Sequence, residues 1–254
     1  MASDESGELS GRVALVTGGV RRIGLAIALE LAKRGATVVV NARSSRDEAT
    51  EAVRAIEAVG GTARAMLADV TDEKAVASMV EAIVGDLGSI DILINNAADR
   101  RESAFTEMTY ADWRAIHAVV LDGAFLCSRA VIPGMLAKGW GRIVNIGGVT
   151  AHVGATRRAH VVSAKAGLVG LTKALAVEFS GDGITVNCVV PGKIGGARSA
   201  TSGPGGAIPG GGHPLVGREG TPEDVAGMVG LLCGTGGGYI TGQAIQVSGG
   251  IYLP

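Results

Sequence analysis

The sequence lacks the features that mark nucleic-acid-binding, membrane-spanning and secreted chains. Its 254 residues carry 23 Lys and Arg against 24 Asp and Glu, a net charge of −1, with no block of like charges. This balance argues against a nucleic-acid partner. No stretch reaches the roughly 18 uninterrupted apolar residues that a membrane-spanning helix needs, and the polar start MASDESGELSGR has no apolar signal core. We therefore expect a cytoplasmic protein with no nucleic-acid partner and no membrane partner.

Cysteine is also scarce. The three cysteines, Cys127, Cys188 and Cys233, lie far apart, and each is set in an apolar stretch. This spacing predicts buried free thiols in a reducing compartment rather than a disulfide framework. We expect no metal site.

What the chain has is a regular alternation of short apolar blocks and amphipathic stretches from residue 12 onward. The predicted strands are RVALVT, TVVVN, ARAMLADV, IDILINNAA, GRIVNIGG, GITVNCVVPG and GQAIQVSGG. Helical stretches separate them, including a long one over roughly Tyr110 to Lys138 and another, AKAGLVGLTKALAVEF, over 164–179. Such alternation predicts an α/β fold, a single-domain, Rossmann-type, doubly wound parallel sheet of about seven strands with helices on both faces.

The predicted domain covers residues 11–254, and residues 1–10 are predicted to form a disordered tail. Within the domain, the stretch 193–220, KIGGARSATSGPGGAIPGGGHPLVGREG, is crowded with glycine. It is either a flexible surface loop or a mobile lid over a ligand at the carboxyl end of the sheet. We favour the lid, because the stretch directly follows a core strand.

The first strand runs into TGGVRRIG, Thr17 to Gly24. A glycine-rich turn between a strand and a helix lets the backbone approach a pyrophosphate, and the helix N-terminus offers free N–H groups and a favourable dipole. This placement predicts a dinucleotide site. The alternative is a tight turn with no ligand.

The second strand ends in VNARSS, where a carboxylate would bind a ribose 2′-hydroxyl. The chain has Asn41, Arg43 and Ser44 there, and Arg21 and Arg22 in the first turn of the preceding helix. Guanidinium groups suit a phosphate dianion, so these residues favour NADP(H) over NAD(H). Solvated surface arginines are the alternative interpretation.

Several motifs together make the chain recognisable: TGGVRRIG, the pair Asp69–Val70, NNAA at 95–98, Lys165, PGKI from Pro191, and ITGQAIQVSGG. From residue 11 onward the chain resembles the classical short-chain dehydrogenase/reductase family, close to its 3-oxoacyl-carrier-protein reductase branch. The resemblance implies a nicotinamide cofactor, a small-molecule substrate and a homo-oligomer, usually a tetramer built on two long helices. The cofactor contacts that it implies are Gly18, Arg21, Arg22, Ile23, Asn41, Arg43, Ser44, Asp69, Val70, Asn96, Ala97, Ala98, Ile146, Lys165, Pro191, Gly192 and Ile194.

The chain departs from that family where the family places its catalytic residues. The family's asparagine, seven positions after Trp113, is Val120; its serine is Gly148; and its tyrosine, four positions before Lys165, is Val161. In the family, the tyrosine donates a proton to the carbonyl oxygen as hydride arrives, and the lysine ammonium makes that tyrosine more acidic and holds the nicotinamide ribose. Losing such an acid typically costs on the order of 10²–10⁴ in rate. We do not expect ordinary ketone reduction by the family's mechanism.

A second loop glycine of the family is also replaced, by Arg22, a change seen in pteridine-reductase-like members that use NADP(H). For the missing acid, we name His160 as the candidate that would act with Lys165. On a regular helix His160 lies about 100° away from the tyrosine position, so it reaches the site only if the helix begins later or its first turn is distorted. His152 and His213 are weaker alternatives.

An iminium substrate needs no protein acid, because it already carries the charge that a carbonyl must acquire. Val120, Gly148 and Val161 would then form an apolar wall that excludes water. Two functions remain open: an NADP(H)-dependent oxidoreductase acting on an imine, iminium or activated carbonyl, and a non-catalytic dinucleotide-binding or structural subunit. We favour the enzyme, because drift would erode the cofactor motifs as well.

Overall fold

The computed structural model describes residues 7–196 and 206–254. Its seven strands form one parallel sheet in the order β3–β2–β1–β4–β5–β6–β7. They are β1 (Val13–Val16), β2 (Thr37–Ala42), β3 (Thr62–Leu67), β4 (Ile92–Asn95), β5 (Gly141–Ile146), β6 (Ile184–Pro191) and β7 (Ala244–Val247). The order reverses between β1 and β4, as in doubly wound folds. The predicted sheet is confirmed.

Helices cover both faces of the sheet. They are α1 (Arg22–Lys33), α2 (Arg46–Glu57), α3 (Glu73–Leu87), α4 (Tyr110–His117), α5 (Gly123–Lys138), α6 (Thr150–Val153), α7 (Ala159–Phe179) and α8 (Pro222–Cys233). A π-helical turn, Ala118–Asp122, joins α4 to α5, so the predicted long helix over 110–138 is present. The helix predicted from residue 164 begins earlier, at Ala159, which changes the direction of the side chains in its first turn.

Helix ends follow local chemistry that the sequence displays. Asp72 caps α3 by accepting hydrogen bonds from the N–H groups of Lys74 and Ala75. Thr221 and Asp224 cap α8 reciprocally, each side chain accepting from the other's N–H group.

The sheet separates two apolar cores. Ala14 and Val16 of β1 face the core under α1, α2 and α8, and Val13 and Leu15 face the core under α3, α5 and α7. Parallel strands covered on both faces read as continuous apolar runs, because successive side chains alternate between two buried sides. The sequence shows that pattern.

The cysteines are free and buried, as predicted. Burial raises the pKa of Cys127 and of Cys233 to about 12 and that of Cys188 to about 11. A protonated buried thiol is a poor nucleophile.

Two helical stretches, Tyr110–Lys138 and Ala159–Asp182, are long and apolar enough to cross a membrane by length and composition alone. Long core helices of globular proteins meet the same criterion. Here α5 and α7 contribute residues to the core under one face of the sheet, which accounts for their apolar character.

The predicted tail of residues 1–10 is wrong at its inner end. Leu9 is buried, at 2% exposure. The Glu8 carboxylate pairs with Arg34 at 3.1 Å and accepts a hydrogen bond from the N–H of Thr235 at 2.6 Å. An apolar side chain in reach of the core, flanked by a paired charge, explains why this segment packs.

The described parts of the predicted lid, 193–196 and 206–220, are tied down by backbone hydrogen bonds. Gly220 donates to Lys193 at 2.9 Å and Gly195 donates to Gly220 at 2.8 Å, so the two ends of the segment meet. Further along, Ala207 and Thr156 exchange hydrogen bonds at 2.9 and 3.0 Å. Residues 197–205 lie outside the described residues.

Candidate active site

A cleft of about 570 Å³ opens at the carboxyl ends of the strands, where the strand order reverses. Its lining includes every residue predicted to contact the cofactor except Ile146. The Ile146 side chain is buried in the core at 2% exposure, and only its carbonyl takes part, by accepting a hydrogen bond from Lys165.

One end of the cleft is built from the turn between β1 and α1. Arg21, the N-cap of α1, makes no side-chain capping hydrogen bond, and the first turn of the helix has no acidic residue. The first N–H groups of the helix therefore remain for a ligand. At Gly24 a Cβ atom would lie 2.3 Å from the Gly18 carbonyl oxygen, so only glycine allows this tight turn. The arrangement fits a pyrophosphate.

The end of β4 is clamped to that turn. The Thr17 hydroxyl accepts hydrogen bonds from the N–H groups of Asn96 (3.0 Å) and Ala97 (3.1 Å). The Asn96 amide donates in return to the carbonyls of Thr17 (3.0 Å) and Gly18 (2.9 Å). Asn96 thus holds the cleft wall in place, and its side chain is committed to the backbone.

The rim beyond β2 carries the predicted selectivity residues. Asn41 is buried and donates to the Ala68 carbonyl at 3.0 Å, so its side chain joins β2 to the end of β3. Arg43 and Ser44 follow it and are exposed on the cleft rim. Glu48 also lines the cleft, and it forms an ion pair with Arg21 at 3.4 Å.

Arg22 adopts a backbone conformation that favours glycine, with φ of 51°. Its guanidinium donates to the carbonyls of Gly195 (3.3 Å) and Ile194 (3.5 Å). The side chain therefore connects the turn before α1 to the segment after β6. A strained conformation of this kind costs about 1–3 kcal/mol and persists where the surroundings fix it.

The other end of the cleft carries the departures from the family pattern. Gly148 and Val161 line it, and Val120 lies behind Val161 in a small apolar cluster, at 2% exposure. Val119, in the same π-helical turn, lines the cleft instead of Val120. A Cβ atom at Gly148 would meet nothing nearer than the Thr150 hydroxyl at 4.0 Å, so this wall has room for a side chain.

Lys165 is the buried cation at this end. It lines the cleft at 6% exposure, and its Nζ donates to the Ile146 carbonyl. Burial, helped by the positive charge of Arg100 and opposed by Cys188, lowers the pKa of Lys165 from 10.5 to about 7. At neutral pH the group therefore exists both as ammonium and as amine, and can give or take a proton.

His160 does not reach the cleft. Because α7 begins at Ala159, His160 lies in a regular helical turn and its side chain is buried, at 1% exposure, away from the cleft lining. Its Nδ1 has no hydrogen-bond partner, and burial lowers the pKa of the ring. The condition for its predicted catalytic role, a later helix start or a distorted turn, is not met.

Two of the other three histidines make structural contacts. His152 stacks on Tyr252 at 5.1 Å, and His117 lies 2.9 Å from the Trp113 carbonyl through Nδ1. His213 is exposed in the segment 206–220. In the part of the chain that the structure describes, none of the three lines the cleft.

Sequence reasoning missed two arginines that line the cleft, Arg100 and Arg158. Arg158 precedes α7 and pairs with Glu102 at 2.7 Å, while Arg157 has φ of 59° and accepts a hydrogen bond from the N–H of Ser103 at 3.0 Å. A signal was available, because each arginine belongs to an Arg–Arg pair beside a recognised motif.

A chain of buried polar side chains lies beneath the cleft. Asn95 donates to Asn145 at 2.9 Å and to Ser128 at 3.2 Å, and Asn145 donates to Thr172 at 2.9 Å. These contacts connect β4, β5, α5 and α7. Among residues 7–196 and 206–254, no cluster of three or more His, Cys, Asp or Glu could hold a metal ion.

Comparison with known proteins relates this geometry to a family. Residues 18–252 match the family model described as enoyl-(acyl carrier protein) reductase. The chain is 37% identical over 253 residues to the 3-oxoacyl-[acyl-carrier-protein] reductase FabG of Haemophilus influenzae, which covers 96% of this chain and 100% of that protein. It is 35% identical over 252 residues to nodulation protein G of Azospirillum brasilense, covering 96% and 99%.

Among solved structures, the chain resembles a crystal structure from Sinorhizobium meliloti 1021, described as that of a short-chain alcohol dehydrogenase. The TM-score is 0.87 at 36% sequence identity, over 96% of this chain and 97% of the other. The matched spans include both ends of the cleft.

Proposed function

The chain belongs to the short-chain dehydrogenase/reductase family, and on that premise we propose that it is an NADP(H)-dependent oxidoreductase whose substrate is an imine, an iminium ion or an activated carbonyl compound. It is an oxidoreductase of the 3-oxoacyl-carrier-protein reductase type. The proposed choice of cofactor and substrate depends on one observation, that the two ends of the cleft differ. The phosphate end keeps the family's features, whereas Gly148 and Val161 offer no hydroxyl at the catalytic end.

The residues of the cleft fit a phosphorylated dinucleotide. The uncapped N-terminus of α1 would hold the pyrophosphate, and Arg43, Ser44 and Arg21 would hold a 2′-phosphate. Asp69, Val70 and the residues 96–98 line the cleft and would contact the adenine and ribose, and Pro191, Gly192 and Ile194 line it as well. Bound there, the nicotinamide would supply hydride.

Proton supply at the catalytic end then depends on the substrate and on Lys165. An iminium ion brings its own charge, so the wall of Val161 and Gly148 needs only to position it and exclude water. For a carbonyl substrate, the Lys165 ammonium could donate a proton to the oxygen, because its pKa is about 7. The proposal includes a small-molecule substrate and a cytoplasmic location for the protein.

Hydride transfer from NADPH to a panel of ketones and cyclic imines tests the reaction. We expect oxidation of NADPH with imines and slow or no oxidation with simple ketones, because the wall lacks a hydroxyl acid. Rapid reduction of simple ketones would contradict the proposal. Binding of NADPH without transfer to any acceptor would favour the second candidate, a non-catalytic dinucleotide-binding subunit, which the apolar wall also fits.

Calorimetric titration with both dinucleotides tests cofactor choice. We expect NADP(H) to bind more tightly than NAD(H), and Arg43→Ala to reduce that preference by about ten-fold, because a charge-assisted contact is lost. Arg54→Ala is the matched control, since Arg54 pairs with Glu51 on the outer surface of α2. Tighter binding of NAD(H) by the unaltered protein would reject the preference.

A further inference from the structure

Lys165 differs from the other lysines of the chain in its position. Lys138 and Lys193 are exposed and pair with the carboxylates of Asp91 and Glu219, each at 2.8 Å. The remaining lysines are exposed on helices: Lys33, Lys74 and Lys173. Lys165 is almost fully buried and yet lines the cleft, so a molecule in the cleft can reach its amine.

The surroundings of this amine are apolar. Val161, one turn earlier on the same face of α7, is buried in a small apolar cluster and also lines the cleft. Among the described residues, the ionisable groups that act on the amine are Arg100 and Cys188, and no carboxylate pairs with it. Burial is the main cause of its lowered pKa, because an apolar environment disfavours the ammonium form.

The amine is held in place on one side and has space on another. Its Nζ donates a hydrogen bond to the Ile146 carbonyl, at the end of β5. A neutral amine that donates in this way keeps a second N–H and a lone pair. Gly148, two residues after Ile146, lines the same cleft, and a Cβ there would meet nothing nearer than 4.0 Å. The cleft therefore has room for a small molecule beside this strand end.

A desolvated lysine of this kind is a nucleophile towards carbonyl carbon. With a pKa of about 7, roughly half of the Lys165 side chains carry a neutral amine at pH 7. That is on the order of 10³-fold more amine than an ordinary lysine offers at the same pH.

We propose that Lys165 is a nucleophile that captures an aldehyde or a ketone in the cleft as a Schiff base. The lone pair on Nζ attacks the carbonyl carbon and the C=O π bond opens, while one N–H proton passes to the oxygen and gives a carbinolamine. The C–O bond then breaks, the oxygen leaves as water with the second N–H proton, and a C=N bond joins the captured molecule to Nζ. This activity goes beyond the proposed hydride transfer and needs no cofactor.

Benzaldehyde with sodium cyanoborohydride tests the capture, because cyanoborohydride reduces a C=N bond and fixes the adduct as a benzylamine. Peptide mass spectrometry then gives the rate of labelling at each lysine. At about pH 7, Lys165 should be labelled about ten-fold faster than Lys173 or more, since more of it is neutral amine. Lys173 is the matched reference, because it is exposed on the same helix. Equal or slower labelling of Lys165 overturns the proposal.

Unfolding in urea is the control for the fold. Without burial both lysines have the ordinary pKa, so the two labelling rates should become equal. A preference for Lys165 that survives unfolding would arise from the local sequence, and it would overturn the assignment to the cleft.

A variant tests whether the reagent arrives through the cleft. Gly148→Val fills space beside the strand end and should slow the labelling of Lys165 several-fold, with Lys173 unchanged. Gly170→Val is the matched control, because Gly170 is exposed on α7 and a Cβ there would meet no other atom within 4 Å. Labelling of Lys165 that Gly148→Val leaves unchanged would place the reaction outside the cleft and overturn the proposal.

All of these measurements use the protein without cofactor, which separates them from the proposed function. A failure of NADPH oxidation with every acceptor contradicts hydride transfer and leaves the labelling result standing. Equal labelling of Lys165 and Lys173 in the folded protein contradicts the Schiff base and leaves hydride transfer standing.

Discussion

At the scale of single residues, Lys165 makes the folded protein sensitive to pH. Its pKa is about 7 in the fold, against 10.5 for an ordinary lysine. Between these values the unfolded chain keeps a proton that the folded protein has released, so stability rises with pH there, by at most about 1.4 kcal/mol per pH unit. Lys165→Met should flatten this rise.

Urea unfolding at about pH 7 and pH 8.5, below the range where ordinary thiols titrate fully, measures the effect. The unaltered protein should be more stable at the higher pH, and the Lys165→Met variant should show a smaller difference. Equal pH dependence in the two proteins would show that burial does not lower the pKa of Lys165.

The affinity for a phosphorylated dinucleotide should fall as pH rises, because the negatively charged dinucleotide favours the ammonium form of Lys165.

Restoring the missing hydroxyls is a second test at this scale. Gly148→Ser with Val161→Tyr places a polarising group and an acid beside Lys165, and the wall has room at Gly148. We expect ketone reduction to rise from a low baseline by about 10²-fold or more, the usual contribution of a general acid. Gly148→Ala with Val161→Phe adds similar bulk without hydroxyls and should give no rise; a rise in both would point to shape alone.

The variant His160→Ala tests whether His160 takes part in the reaction. If His160 were the catalytic acid, this change would lower turnover by about 10²-fold or more. Because the ring is buried outside the cleft, we expect turnover and its pH profile to stay unchanged, while thermal stability falls as a cavity opens. A flattened pH profile between about 6 and 8 would return His160 to the mechanism.

At the scale of secondary-structure elements, the buried amide chain beneath the cleft carries a stability prediction. Asn145 contacts both Asn95 and Thr172 in the interior. Asn145→Ala removes one of the two acceptors of the buried Asn95 amide and the donor to Thr172, and it should cost about 1–3 kcal/mol. Thr172→Val alone should cost less, and the double variant should cost less than the sum, because the two share a hydrogen bond. Strict additivity in urea unfolding would contradict the coupling.

The sequence predicts which segments are strands and helices, but it predicts only in part where each helix begins and so which way its side chains point. Apolar blocks and amphipathic stretches set the seven strands and the long helices, since burial on two faces or on one stripe leaves a periodic trace. The sequence predicts too late a start for α7, because no capping side chain marks its first residue. That error decides where the His160 ring points.

The cleft likewise has residues that the sequence predicts and residues that it does not. The glycine turn, the residues after β2 and Lys165 carry motifs that a sequence displays, and the structure brings them to one cleft. The π-helical turn that presents Val119 in place of Val120 leaves no periodic trace. Arg158 is positioned by tertiary contacts, its own ion pair with Glu102 and the hydrogen bond from Ser103 to the neighbouring Arg157, which local patterns do not encode.

At the scale of the whole molecule, exposed apolar side chains on the long helices support an oligomer. Phe125 on α5 is 47% exposed and Val177 on α7 is 89% exposed. Most homo-oligomers are symmetric, and the family resemblance leads us to expect a tetramer in which these helices pair with their copies. Light scattering at micromolar concentration should show it, and Phe125→Glu with Val177→Glu should give smaller species.

Val59→Glu is the control for that substitution. Val59 is similarly exposed, at 46%, but follows α2 on another surface, so the assembly should survive it. A monomer of the unaltered chain at micromolar concentration would reject the oligomer.

The three buried thiols have a consequence for the motions of the molecule. Cys127, Cys188 and Cys233 lie on α5, β6 and α8, on both sides of the sheet, and their raised pKa values keep them protonated. An alkylating reagent reaches a thiolate only when its surroundings open. The rate at which each cysteine is labelled therefore reports how often that part of the fold breathes, and three equal rates would mean that the cores open together, as one cooperative unit.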